Sequence, residues 1–359
     1  MSRFFSSDLS ELVPYTPGEQ PDQKRPLIKL NTNENPYGPG PLVKQVLAKT
    51  DPASLKLYPD PEASLLTKAI ADNYRLDPAQ VAVTNGSDEA LAFVFMAFTG
   101  SGRKVFFPEI SYGFYPVFAQ VFKADFEEIP LRGGLTIDIQ DYMNCRGTVI
   151  IANPNAPTGI ALDPEDIEQL LKADPDRLVV VDEAYVDFGA KSCVSLIDSY
   201  DNLLVVQTFS KSRSLAGSRV GFVMGQKDLI ADINTIKFSF NPYSLDTMAV
   251  RAAAAAMTDR EYFEKTRQQI IATRERTASA LREMGFHLLP SKTNFLFARH
   301  DRISGSDYFN GLRENDIIVR HFEKPRIEEY VRITIGTEEQ MKKLLGVTAK
   351  LLADTDPAE

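Results

Sequence analysis

Residues 203–219 read LLVVQTFSKSRSLAGSR, and this segment carries the clearest evidence on the fold. It begins with a continuous apolar run, which is typical of a strand covered on both faces of a sheet. Lys211 follows in a turn rich in Ser, Gly and Arg that ends at Arg219. This pattern places the lysine at the carboxyl edge of a sheet, where open α/β proteins bind ligands.

Similar strand patterns precede and follow helical ones along the chain. Short β-branched runs occur at residues 80–84, 104–107, 148–152 and 178–181, and helical periodicity occurs at 88–98, 164–173 and 229–237. This alternation predicts right-handed crossovers and a mostly parallel sheet in a large domain, residues 46–260. A long helix at 259–284, short strands at 293–299, 317–320 and 330–334, and a final helix at 338–353 predict a smaller α+β domain, residues 261–359.

The first part of the chain has a different character. Ten of the 22 prolines lie between Pro14 and Pro61, which argues against long regular elements there. We therefore predict an extended N-terminal arm over residues 1–45, which returns to the small domain and contributes to a subunit contact.

Composition excludes several classes of protein. The net charge of −9 argues against non-specific binding of nucleic acid or of anionic membranes. The longest apolar run, residues 90–98, is too short to span a bilayer. Asp8 and Glu11 lie where a signal peptide needs apolar residues, so we expect a cytoplasmic protein without nucleic-acid or membrane partners.

Cysteine and histidine usage excludes other kinds of site. The two cysteines, Cys145 and Cys193, rule out a disulfide scaffold and lack metal-ligand spacing. The histidines (His287, His300 and His321) are never three or four residues apart, so we predict no metal site.

Polar residues follow the other predicted strands at the same edge. Asn85-Gly86-Ser87-Asp88-Glu89 combines a glycine turn with a helix start and suits a phosphate, although a simple capped helix has the same pattern. Residues 153–159, NPNAPTG, form a rigid loop that could hold Asn155 in place or be an ordinary turn. Residues 182–185, DEAY, are either a functional acid and phenol or a helix cap and a core tyrosine.

The conjunction of these segments is more informative than any one of them. A partly desolvated lysine can form a Schiff base with an aldehyde. A carboxylate that faces a pyridine nitrogen keeps it protonated, and a helix start can anchor a phosphate. These are the parts that a pyridoxal phosphate site requires.

Taken together, these segments resemble those of a known family. The motifs Asn-Pro-Asn-x-Pro-Thr-Gly, Asp-Glu-Ala-Tyr and Ser-Lys-Ser-x-Ser-x-Ala-Gly-x-Arg, in this order, resemble those of class II pyridoxal phosphate aminotransferases of fold type I. The similarity is sharper for the histidinol-phosphate aminotransferase branch. It extends over PYTPG (14–18), LNTNENPY (30–37), YPDP (58–61), NGSDE (85–89) and VRITIGT (331–337). Ala156 departs from the pattern, which usually has a second Asn there.

The resemblance implies a role for each matching residue. Lys211 would bind the cofactor aldehyde and act as general base, Asp182 would pair with the pyridinium nitrogen, and Asn155 and Tyr185 would hydrogen-bond the phenolic oxygen. The remaining cofactor contacts would be Tyr112 stacked on the ring, Ser87, Asp88, Ser210 and Arg219 on the phosphate, and Tyr58 reaching that phosphate from a second subunit. Arg332 would bind the anionic group of the substrate, with Arg320, Tyr15 and Asn33 as further candidates. An ion pair at the surface and a packing role are the alternatives for Arg320 and Tyr15.

The implied reaction is transamination between L-histidinol phosphate and 2-oxoglutarate in a homodimer, giving imidazole acetol phosphate and L-glutamate in histidine biosynthesis. Transamination of aromatic amino acids and decarboxylation of threonine phosphate remain alternatives on the same scaffold. A pyridoxal-phosphate-dependent regulator would need an added DNA-binding domain, for which residues before 64 are too few and too rich in proline. A purely structural role leaves Lys211, Asp182 and Arg219 unexplained.

Overall fold

The computed structural model describes residues 2–20, 27–100 and 102–354. The α-helices are α1 (Pro41–Lys49), α2 (Ser64–Tyr74), α3 (Gly86–Phe98), α4 (Phe114–Val121), α5 (Pro164–Ala173), α6 (Lys227–Phe240), α7 (Thr247–Thr258), α8 (Arg260–Glu283), α9 (Gly305–Glu314) and α10 (Glu338–Asp354). The strands are β1 (Ile28–Lys29), β2 (Val81–Thr84), β3 (Lys104–Pro108), β4 (Phe126–Ile129), β5 (Gly147–Ala152), β6 (Val179–Asp182), β7 (Leu203–Thr208), β8 (Gly221–Gly225), β9 (His287–Leu288), β10 (Phe295–Arg299), β11 (Ile317–Ile318), β12 (Arg320–His321) and β13 (Val331–Thr334).

The large domain is built on a sheet that has seven strands within the described residues, in the order β2-β8-β7-β6-β5-β3-β4. Only β8 runs antiparallel to its neighbours there, so the prediction of an α/β fold with a mostly parallel sheet is confirmed. Successive residues of the central strands pack on opposite faces. In β7, for example, Leu203 and Val205 join one core while Leu204 and Val206 join the other. Helices cover both faces, as the continuous apolar runs require.

The small domain has an antiparallel sheet in the order β12-β13-β10-β9. Its core includes Ile270 of α8, Leu312 of α9 and Leu344 of α10. The arm joins this domain because β1 pairs in parallel with β11.

The arm contains a regular element that the proline count argued against. Helix α1 has nine residues and starts at Pro41, a position where the missing N–H of proline costs nothing. Val43 of α1 lies in the same core as α2 and α7, so the predicted boundary at residue 45 falls inside a helix packed on the large domain. Residues 21–26 of the arm and 355–359 of the small-domain range lie outside the described residues.

Strand β8 was missing from the strand pattern read in the sequence, and it determines the geometry of the sheet edge. Its first residue, Gly221, pairs with Thr84 of β2 and with Thr208 of β7. A Cβ at Gly221 would lie 2.4 Å from the backbone nitrogen of Ser87, so only glycine allows this approach. The start of α3 and the loop that carries Lys211 are thereby held on either side of one strand.

Candidate active site

The loops that follow β2, β5, β6 and β7 meet at the carboxyl edge of the sheet and enclose a cavity of about 180 Å³. We call it the inner cavity, and it is lined by Ser87, Asp88, Tyr112, Ala152, Pro154, Ala156, Asp182, Ala184, Tyr185, Thr208, Ser210, Lys211 and Arg219. Eight of the ten predicted cofactor residues are in this set. Asn155 and Tyr58 are not.

One end of the inner cavity is suited to a phosphate. Helix α3 starts there, and Asn85 at its N-cap makes no side-chain hydrogen bond to the first turn within the described structure. The φ angle of Gly86 is +78°, and a Cβ at this position would lie 2.6 Å from Nη2 of Arg219. Arg219 Nη2 donates to Asp88 Oδ2 at 2.9 Å, and Arg219 Nη1 lies 3.4 Å from Ser210 Oγ. Helix N–H groups, an arginine and a hydroxyl thus converge on one point.

A buried carboxylate is the second feature of the inner cavity. Asp182 ends β6, accepts a hydrogen bond from the Tyr115 hydroxyl at 3.0 Å, and accepts another from the backbone N–H of Ala184 at 3.2 Å. Burial raises the pKa of Asp182 to about 6, and the hydrogen bond from Tyr115 opposes this shift. A buried acid of this kind gains stability from a cationic partner, such as a protonated pyridine nitrogen.

Lys211 lies shortly after the end of β7 and lines the inner cavity. Its Nζ donates to the carbonyl oxygen of Thr32 at 3.1 Å and lies 5.8 Å from the centre of the Tyr185 ring. Thr32 belongs to the arm, so the arm closes over the lysine.

Asn33 lies behind Tyr185. Its Nδ2 donates to the Tyr185 hydroxyl at 2.8 Å, and its Oδ1 accepts from Thr334 Oγ1 at 3.0 Å. Asn33 lines the outer cavity described below but is 1% exposed, and these bonds direct its amide toward Tyr185 and Thr334. The structure therefore shows Asn33 holding the Tyr185 hydroxyl, and the contact of Asn33 with substrate stays a prediction.

Asn155, in the loop of residues 153–159, is held by protein groups in the structure, and its contact with the phenolic oxygen stays a prediction. Its Nδ2 donates to the Ile110 carbonyl at 2.9 Å and to Thr158 Oγ1 at 3.1 Å, and its Oδ1 accepts from Ser111 Oγ at 2.8 Å. Both N–H groups of the amide thus have protein partners, and Asn155 lines neither cavity. Ala156 lines both. The structure leaves Tyr185 as the cavity-lining member of the pair predicted to bind the phenolic oxygen.

A larger cavity of about 540 Å³, which we call the outer cavity, adjoins the inner one and shares Tyr112, Ala156, Tyr185 and Lys211 with it. The arm forms one wall, where Tyr15 stacks on Phe114 with ring centres 4.3 Å apart. Arg320 and Arg332 also line the outer cavity.

These two arginines are direct cross-strand partners in β12 and β13. Arg332 Nη2 donates to the carbonyl oxygen of Asn31 at 2.9 Å, whereas its buried Nε has no hydrogen-bond partner among the described residues. Burial lowers the pKa of the Arg332 guanidinium, and the nearby charge of Arg320 adds to this shift. Like charges placed opposite each other destabilise a strand pair, and a bound anion would relieve this repulsion.

The charge of the outer cavity is uniform. Its basic lining residues are Lys211, Arg320, Lys324 and Arg332, and within the described residues no Asp or Glu lines it. Such a surface favours substrates with several negative charges.

Tyr58 is far more exposed than the other candidates, at 81%. It stacks on Tyr243 with ring centres 4.6 Å apart and belongs to a separate surface groove. Within one chain the structure does not bring Tyr58 to the cavities.

Three contact residues were not identified from the sequence. Tyr115 donates to Asp182, Thr32 accepts from Lys211, and the ring of Phe322 lies 5.5 Å from both Arg320 and Arg332. Thr32 belongs to the quoted segment 30–37 and Tyr115 lies three residues after Tyr112, so their neighbourhood was the available signal. Phe322 carries no such signal, because an isolated Phe resembles any core residue.

Comparisons with known proteins agree with this geometry. The family model "Aminotransferase class I and II" matches residues 25–347. This chain belongs to the class I and II aminotransferases. A histidinol-phosphate aminotransferase of Acinetobacter baumannii (strain AB307-0294) is 51% identical over 346 residues, covering 96% of each chain. Histidinol-phosphate aminotransferase 1 of Bordetella parapertussis is 50% identical over 357 residues, covering 98% of this chain and all of the relative.

The family's fold is also seen in solved structures. The histidinol-phosphate aminotransferase of Sinorhizobium meliloti, solved in complex with pyridoxal-5'-phosphate, aligns with a TM-score of 0.84 at 22% identity and covers 91% of each chain. This likeness confirms fold type I for the chain. None of the helices in the described ranges combines the length and apolar character that a membrane span needs. No group of three or more potential metal ligands occurs within those same ranges.

Proposed function

We propose that this aminotransferase moves an amino group between L-histidinol phosphate and 2-oxoglutarate, giving imidazole acetol phosphate and L-glutamate. The observation that carries this proposal is the outer cavity, whose described ionised groups are all cationic. Histidinol phosphate carries a phosphate ester, and 2-oxoglutarate carries two carboxylates, so both need such a surface. The relatives named above bear the same activity in their names.

The inner cavity fits pyridoxal phosphate, the cofactor of this reaction. Arg219, Ser210 and the start of α3 would hold the phosphate, Asp182 would face the ring nitrogen, and Lys211 would bind the aldehyde. Gly86 supports this assignment, because any side chain there would collide with the Arg219 guanidinium. When bound, the cofactor supplies an aldehyde for the substrate amine and a ring that accepts electrons from the α-carbon.

The residues of the chain supply binding and proton transfer. The Nζ of Lys211 lies on the boundary between the two cavities. Once the substrate amine has displaced it from the aldehyde, this amine would serve as the base that takes the α-proton of the substrate and would then deliver a proton to the former aldehyde carbon. Ionised Asp182 stabilises positive charge at the ring nitrogen, and Tyr115 keeps its carboxylate in place. Tyr112 forms part of the wall shared by both cavities, and its hydroxyl donates to Asp88 at 2.6 Å.

Substrate anions are bound by guanidinium groups. Arg332 presents a buried Nε that has no hydrogen-bond partner among the described residues, and Arg320 lies beside it without an ion pair to any of them. A guanidinium can bind phosphate or carboxylate with two parallel hydrogen bonds, which allows one site to serve both half-reactions.

We further propose a homodimer that acts in the cytoplasm. Two-fold dimers are the commonest soluble assembly. The exposed side chains of Leu57, Tyr58 and Leu65 lie around one surface groove and would be covered by a second copy. In that dimer Tyr58 reaches the cofactor phosphate of the neighbouring subunit.

Two measurements test the proposed function. Borohydride reduction of the holoenzyme should fix the cofactor to Lys211, and label on another lysine would contradict the site. A substrate panel of histidinol phosphate, histidine, phenylalanine, tyrosine and threonine phosphate should give the highest kcat/KM with histidinol phosphate. An equal or higher value with an aromatic amino acid, or decarboxylation of threonine phosphate, would overturn the substrate assignment.

A further inference from the structure

The loop that follows β12 crosses from the small domain to the large one beside the outer cavity. Arg326 in this loop forms an ion pair with Glu109, and its Nη2 donates to the carbonyl oxygen of Leu131 at 2.9 Å. Lys324 Nζ donates to the carbonyl oxygen of Glu109 at 2.5 Å. Glu109 follows β3 directly, one residue before Ile110 in the cavity wall.

Apolar packing supports these polar contacts. Ile327 is 2% exposed and packs in a cluster with Ile110, Leu131, Leu135 and Phe297, which come from both domains. The carboxylate of Glu109 also accepts from the backbone N–H of Leu131 at 3.0 Å. Glu109 therefore joins two segments of the large domain to one loop of the small domain.

The same loop forms part of the substrate site. Phe322, Lys324 and Ile327 all line the outer cavity. The Phe322 ring lies 5.5 Å from the guanidinium carbons of both Arg320 and Arg332. The position of this loop thus sets how the two arginines face Lys211 across the cavity.

We infer that Glu109, Lys324 and Arg326 form a latch between the domains, in which Glu109 is a positioning residue for the substrate-anion site. The inference rests on the proposed function only in requiring an anionic substrate that the two arginines bind. The latch holds the loop against the large domain, so that the anion site faces the lysine before substrate arrives. Without the latch the competent arrangement is less populated, and apparent affinity falls by the same fraction.

The expected effect is on KM more than on kcat. The latch pair is partly exposed (40% for Arg326 and 25% for Glu109), and such pairs contribute modestly. We expect Glu109→Gln and Arg326→Gln each to raise KM by roughly three- to tenfold. We expect kcat to change by less than about twofold, because saturating substrate restores the competent arrangement.

The test is a double-mutant cycle in the holoenzyme. KM and kcat are measured for Glu109→Gln, Arg326→Gln and the double variant, using the amino donor that the unmodified enzyme turns over fastest and, separately, glutamate. The matched control is Glu127→Gln, because Glu127 pairs with Lys104 at 2.6 Å on the neighbouring strand and lines neither cavity. Cofactor absorbance is recorded for every variant.

The latch predicts that either single substitution raises KM for both substrates, that the double variant is no worse than the more affected single variant, and that the control is unchanged. Unchanged KM in the single variants, additive effects, or loss of kcat and cofactor absorbance with constant KM would overturn it. Arg326→Gln alters an exposed loop residue and keeps the test available if Glu109→Gln folds poorly. Failure of the proposed function would instead appear in the unmodified enzyme, as a preference for another donor.

Discussion

Arg332 offers the sharpest test of how one site serves two anions. Its Nη2 is bound to the Asn31 carbonyl, its buried Nε is unpartnered among described residues, and its guanidinium carbon lies 5.4 Å from the Phe295 ring and 5.5 Å from the Phe322 ring. Arg332→Lys keeps the charge but removes the fork that can make two parallel hydrogen bonds.

The magnitude follows from the contacts that are lost. A hydrogen bond to a charged group is worth about 1.5–3 kcal/mol, and displacement of the remaining charge adds to this loss. We therefore expect kcat/KM to fall by roughly 30–1,000-fold, or about 2–4 kcal/mol, with both histidinol phosphate and glutamate. Cofactor absorbance should persist, because Arg332 does not line the inner cavity.

The assay compares kcat/KM in the two half-reactions for Arg332→Lys and for a control, Arg299→Lys. Arg299 ends the neighbouring strand β10, pairs with Asp301 at 2.6 Å, and lines neither cavity. Loss with only one of the two substrates would refute a shared anion site. Arg320, the cross-strand partner of Arg332, would then be the first candidate for the other anion.

Three further predictions concern the acid, the dimer and the core. Because the pKa of Asp182 is raised in the folded state, its protonated form stabilises the cofactor-free fold below the ordinary carboxyl pKa near 4, and this contribution is lost as pH rises to about 6. Urea unfolding at a series of pH values should show this loss. Asp182→Asn should reduce the dependence of the unfolding free energy on pH. Mixing Tyr58→Phe with Lys211→Ala subunits should give hybrids with one undamaged site and more activity than either parent, whereas no recovery would contradict shared sites. Arg177→Ala should lower the urea midpoint by an amount equivalent to roughly 3 kcal/mol, because it removes a buried side chain that donates to four backbone carbonyls. These carbonyls belong to Tyr142, Met143, Cys145 and Leu170. An unchanged midpoint would contradict this prediction.

The fold was largely predictable because its local signals agree with its tertiary structure. The strand at residues 203–208 and the helix at 164–173 have the predicted bounds, since apolar runs buried on both faces and a proline at the first helical position are unambiguous. Strand β8 was missed because its five residues begin and end with glycine shortly after the Lys211 turn, and its partners β2 and β7 are not determined by local sequence.

The site was predictable by residue type more readily than by orientation. Lys211, Asp182 and Arg219 could be proposed because strand ends in a parallel sheet meet at one edge. That Ala156 lines the cavities and Asn155 does not could not be predicted, because it depends on which side of the 153–159 loop each residue faces. The carbonyl oxygen of Ile110, which accepts from the Asn155 amide, is 45 residues away in sequence. The contact of Phe322 with Arg320 and Arg332 depends on the pairing of β12 with β13, which local sequence does not determine.

The placement of β8 has a consequence for how the enzyme is made. Strand β2 joins the large sheet only through β8, since it has no other partner among the described strands. The start of α3 and the Lys211 loop, about 120 residues apart in sequence, therefore come together only when residues 221–225 are inserted between β2 and β7. A ribosome-bound chain that ends before Gly225 lacks part of the strand that joins β2 to β7, so we expect competence to bind the cofactor to arise only after β8 has followed the last parallel strand, which ends at Thr208.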